Sequence, residues 1–127
     1  MNITDEIKLN IHLYVILELA IKSTQHDKKL FESFKVKRPY LSFCDQQLEI
    51  LKKEFKIVTK SLYKHGVKFE KYLRTGINDC LYSFVCRGEV VPFHYYGDTL
   101  KTQVERKLKL TWQSMEGKEE CGKTPNN

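Results

Sequence analysis

The sequence predicts an all-α fold, a small bundle of about four helices with an extended aromatic loop at 89–97. Three observations predict it. Apolar side chains recur at three- and four-residue spacing through 9–20, 48–62 and 100–115. Only 3 Pro and 6 Gly interrupt the 127 residues, which leaves little room for long loops. Thr4, Ser42, Gly66 and Asp98 stand at the ends of these stretches, where helix starts and stops belong. The competing architecture is α+β, with a C-terminal β-hairpin or meander over 81–112.

The first helix starts at Thr4, an N-cap residue followed by Asp5 and Glu6, whose negative charge suits the positive end of the helix dipole. Leu9, Leu13, Ile16, Leu17 and Ala20 share one face, and Ile11, Tyr14, Val15, Leu19 and Ile21 widen it nearly round the cylinder. Such a helix is either central in its own bundle or covered by another chain. Under the second reading Ile11, Val15 and Leu19 form a self-association seam, since a symmetric dimer is the commonest cover for an exposed apolar patch.

Residues 22–41 read as a polar connector that ends where Pro39 disfavours helix at Arg38, anchored by Leu30, Phe31 and Phe34. The second helix then starts at Ser42, with Asp45 completing an approximate capping box. Leu48, Leu51, Phe55, Val58 and Leu62 form its seam, lysines 52, 53, 56, 60 and 64 take the other faces, and Gly66 is the C′ stop.

Beyond Gly66, Phe69, Leu73, Ile77, Cys80, Leu81, Phe84 and Val85 trace a helical face, so 67–87 is expected to be helical or a kinked pair at 67–75 and 77–86. Against this, Gly76 costs a helix interior about 1 kcal/mol relative to Ala. The alternative makes 81–86 and 90–96 a hairpin, with Pro92 confining the second strand to an edge. A last helix from Asp98 to Met115 carries Leu100, Val104, Leu108, Trp112 and Met115 on one stripe. The domain organisation is one helical domain over 1–115 and a disordered polar tail over 116–127.

Charge is uneven. The chain carries +6 overall, but residues 28–109 hold 18 basic and 9 acidic side chains, which points to an acidic partner without naming a chemistry. The longest apolar run, Ile11 to Ile21, is broken by His12 and Glu18 and is too short to span a bilayer, so no membrane partner is expected. The N-terminus lacks the basic and small-residue marks of a secretory signal. With 4 Cys lacking tight spacing, reduced thiols and a cytoplasmic location are expected.

No phosphate loop, dinucleotide fingerprint, zinc-ligand pair or serine-hydrolase elbow occurs. Cys80, Cys86 and His94 do not match a structural zinc pattern, so no metal and no cofactor are expected. Cys44 near a helix start has no His beside it. Arg87 and His94 are the candidate catalytic pair, the His as acid or base and the Arg as phosphate holder. In that spacing the chain resembles helical-bundle toxins with an Arg-x(4–6)-His motif, which implies a metal-independent ribonuclease. It departs from them at Pro92, where those proteins carry helix and a polar residue beside the Arg.

The remaining candidates are binding residues. Phe93, Tyr95 and Tyr96 suit base stacking while Lys52, Lys53, Lys56 and Lys60 neutralise phosphates, a sequence-tolerant mode of nucleic-acid binding. Solvated lysine faces are also what most small helices carry. The sequence therefore favours a non-enzymatic protein-binding regulatory or adaptor module that self-associates. A basic nucleic-acid-associated protein stands second, and the ribonuclease-like toxin third.

Overall fold

Thr4 starts the first helix as its side chain suggests, with Oγ1 accepting the Ile7 N–H at 3.2 Å. The resulting α1 (Asp5–Phe31) is longer than expected. No Gly or Pro breaks residues 22–31, Lys28 and Lys29 favour the negative end of the dipole, and buried Thr24 returns its hydroxyl to the Ala20 carbonyl at 2.9 Å. The connector thus shrinks to residues 32–37. In α2 (Arg38–Lys64), Pro39 lies in the first turn, where its missing N–H is no loss. The expected capping box is therefore inside the helix, and Asp45 pairs instead with Lys28 of α1 at 2.6 Å. Gly66 follows the C-cap His65 with φ +74, the left-handed stop that was anticipated.

The computed structural model describes residues 3–123, with side chains for residues 3–115. Its central finding is an α+β fold, which overturns the all-α bundle. Residues 67–96 form an antiparallel meander of β1 (Val67–Arg74), β2 (Asp79–Cys86) and β3 (Glu89–Tyr96), in that spatial order. The two strands weighed as an alternative are present. The third strand precedes them, however, and 98–112 belongs to α3 (Gly97–Lys123) rather than to a meander. The aromatic stretch 89–97 is β3 and its junction with α3, with Pro92 on an edge strand where its missing N–H is tolerated. The polar tail expected over 116–127 lies beyond the described side chains, and 124–127 lie outside the described residues altogether.

The helical reading of 67–87 failed for a specific reason. The register of β1 on β2 shifts between Phe69 and Lys71, so Phe69 and Tyr72, three residues apart, both face the core opposite Phe84 and Tyr82. A bulge thus imitates a helical step in the sequence. In β2 the alternation is clean. Cys80, Tyr82, Phe84 and Cys86 are buried on one face, so the two cysteines point the same way. Arg87 (φ 51) and Gly88 (φ 90) close the β2–β3 hairpin with two positive φ values, as a type I′ turn requires.

The core lies between the inner sheet face and α1, which packs also on α2 and α3. The Tyr14 ring meets Phe55, Phe69 and Phe84. Lys107 of α3 reaches Glu54 of α2 at 2.6 Å, and Asn10 of α1 reaches Ser61 at 3.1 Å. Among the described residues no helix is long and apolar enough to cross a membrane.

Candidate functional site

Because helices cover only one face of the meander, the other stays open. Alternation sends Lys68, Lys71 and Leu73 of β1, Asp79, Leu81, Ser83 and Val85 of β2, and Val90, Pro92, His94 and Tyr96 of β3 to that face. Val90 and Tyr96 are each 56 % exposed, and Leu73 is 51 % exposed. Half-buried Leu81 and Val85 join them into one apolar band. At its centre Ser83 is 3 % exposed, and its hydroxyl has no hydrogen-bond partner among the described residues. A polar group buried in that way is costly unless something supplies a partner. His94 Nε2 stands 3.4 Å from Asp79 Oδ1 at one end of the band, and its ring meets Tyr96 edge-on.

The sequence-predicted site residues fall elsewhere than expected. Arg87 sits at the hairpin tip, whereas His94 pairs with Leu81, six residues down β2. At the usual strand rise that separates them by about 20 Å, and no acid–base pair forms around one phosphate. Phe93 and Tyr95 face the core, opposite Tyr82 and Cys80, and only Tyr96 turns outward. The three therefore make no joint stacking platform. Lys52, Lys53, Lys56 and Lys60 are exposed along α2.

The self-association seam is corrected as well. Ile11 and Val15 are 0 % exposed inside the chain's own core and Leu19 is half-buried, because the sheet that the helical reading omitted covers the second side of α1.

A cleft of about 750 Å³ opens between α1, α3 and the β1 side of the inner sheet face, floored by Phe69, Tyr72 and Tyr82. Glu18 and Glu105 line it with Lys22, Arg74 and Lys101, while the Asp79 carboxylate is turned to His94 on the other face. Arg74 is already committed, donating to the carbonyls of Gly76 at 3.1 Å and Ile77 at 3.2 Å. Burial, with Glu18 nearby, pushes the Tyr82 hydroxyl well above its usual pKa, so it stays neutral. The three described cysteines, Cys44, Cys80 and Cys86, are free and buried, and burial raises each thiol pKa. They pack as small apolar groups rather than as nucleophiles. Among the described residues no cluster of His, Cys, Asp or Glu is arranged to hold a metal ion.

In β2 the odd positions Leu81, Ser83 and Val85 lie outward, but because Leu81 and Val85 are themselves apolar the period-two pattern does not stand out in the sequence. A family model described as "YhjD protein" matches residues 2–116. Comparison with curated proteins and with solved structures returns no match.

Proposed function

The chain belongs to the YhjD family, and from the surface it carries we propose that it is a binding module without catalytic chemistry of its own, working through the open face of its sheet. The partner is a protein, in the first place a second copy of the chain. One observation carries this reading: Leu73, Val90 and Tyr96, each more than half exposed, share with half-buried Leu81 and Val85 the face of the sheet that the described helices leave open. Sheets stack face to face about 10 Å apart through bands of this kind. The charges also suit a twofold axis running across the strands. Such an axis brings the Lys68 end of one copy over the Asp79 end of the other. A regulatory or adaptor role follows if the face exchanges its own copy for another protein. Free buried thiols agree with a reducing compartment such as the cytoplasm.

Sedimentation equilibrium of the full chain tests the proposal. Dimer is expected at micromolar concentration, with Val90→Glu and Leu73→Glu each giving a folded monomer. A wild-type monomer up to high micromolar concentration, or a dimer indifferent to both charges, overturns it.

A further inference from the structure

The end of the α1–α2 hairpin farthest from the sheet carries a second surface of different character. Sheet contacts and the cleft engage α1 only as far as Ser23. At 1.5 Å per residue the helix continues roughly 12 Å beyond that point before it ends at Phe31. The turn there is built, not slack. The Phe31 ring stacks on Tyr40 at 5.1 Å, and Phe34 meets both edge-on at 5.2 and 5.6 Å. The Phe34 N–H reaches the Phe31 carbonyl at 3.0 Å, and the Ser33 hydroxyl reaches that of Leu30 at 2.8 Å.

This scaffold leaves aliphatic side chains in water. Val36 is 70 % and Leu30 55 % exposed. Interleaved with them are Lys29, Lys35, Lys37 and Arg38, all exposed, with Glu32 the one acidic residue between 28 and 38. Lys28, which Asp45 already neutralises, stands apart from the set.

We infer that this tip is a contact for an anionic lipid surface. Apolar and basic side chains alternate along the turn, Leu30 beside Lys29 and Val36 between Lys35 and Lys37, so one short exposed segment offers both. That is the arrangement by which an interfacial segment buries its apolar groups among headgroups while its cations meet anionic lipid. Nucleic acid fits less well. Leu30 and Val36 offer no face for stacking, and Phe31 and Tyr40 turn theirs on each other. That no helix among the described residues is long and apolar enough to span a bilayer bears on crossing one, not on resting against one. The inference is independent of the sheet-face dimer, since the two surfaces share no residue.

The test is co-sedimentation of the full chain with vesicles of phosphatidylcholine alone and with phosphatidylglycerol added. Binding is expected only to the anionic vesicles, and it should fall as salt rises. Lys35→Gln with Lys37→Gln should weaken it about fivefold per charge. Leu30→Glu with Val36→Glu should abolish it while leaving the melting temperature unchanged. A Val36→Trp variant should shift its emission to the blue on anionic vesicles more than wild type does. Val90→Glu on the sheet face should leave vesicle binding intact, which separates failure here from failure of the dimer. Absence of binding at low salt, or binding that survives Leu30→Glu with Val36→Glu, overturns the inference. So does binding to polyuridylate, but not to vesicles, that the same substitutions remove.

Discussion

Asn78 Oδ1, in the β1–β2 turn, accepts the backbone N–H of Asp98 in the first turn of α3 at 3.0 Å. The cap of α3 is thus supplied from 20 residues away, and not by Asp98 itself. Gly97 makes room for it: a Cβ there would lie 2.7 Å from the same oxygen. Gly97→Ala must therefore displace Asn78, and Asn78→Ala removes the acceptor outright. Each is expected to cost about 1–2 kcal/mol, the usual worth of a helix cap. The double substitution should cost clearly less than their sum, because both break one interaction. Urea unfolding of the three variants measures it, and additivity would refute the shared cause.

Among the described residues Phe84 is the largest fully buried side chain, and it meets Tyr14, Phe69 and Phe93 edge-on. Phe84→Ala is expected to cost about 3–5 kcal/mol, enough to unfold a marginal domain. Phe55 is only half-buried on α2 against Tyr14, so Phe55→Ala should cost less than Phe84→Ala. Exposed Lys56→Ala should stay within about 0.5 kcal/mol. Thermal melts that rank Phe55 above Phe84 would contradict the packing described.

A charge in α1 now has a different expected outcome from a charge at a dimer seam. Val15 is enclosed by the chain itself, so Val15→Glu buries an unpaired carboxylate and should abolish folding rather than release a monomer. Circular dichroism decides, and a folded Val15→Glu monomer would restore α1 as an interface.

His12 stacks on Tyr95 at 5.9 Å, and burial lowers its pKa below the usual 6.5. The unfolded chain therefore takes up this proton at higher pH than the folded one. Stability from this group is full above about pH 6.5 and declines as pH falls toward the depressed folded value. Melting temperatures between about pH 7.5 and 5 should fall, and His12→Gln should flatten the slope in that window. An unchanged slope in the variant would assign the pH dependence elsewhere.

What the sequence shows plainly here are features carried by single residues: Thr4 as a cap, Gly66 as a stop, Pro92 on an edge. What misleads is periodicity read without register. Phe69 and Tyr72 share a face only because the bulge between Phe69 and Lys71 adds a residue, and this spacing passes for a helix. The even positions from Cys80 to Cys86 follow strand alternation, but the intervening Leu81 and Val85 are apolar as well and hide it. With 67–87 read as helix, α1 has no sheet to cover it, and Ile11 and Val15 become surplus surface. One misread segment thus displaced the candidate interface by a whole layer of the structure. The open sheet face had no signature in composition. It exists because the helices all lie on one side, and only the connectivity decides that.

Spatial order in the sheet repeats order along the chain, and the α1–α2 and strand pairs each join sequence neighbours. Each half of the molecule therefore closes on itself before it needs the other, and little loop entropy is spent early. The two are joined by the aromatic contacts of Tyr14 with Phe69 and Phe84 and of His12 with Tyr95. The expectation is that substitutions at Tyr14 slow folding less than they hasten unfolding, while substitutions within either hairpin do the reverse. Kinetic traces showing Tyr14 fully engaged at the barrier would reverse that order of assembly.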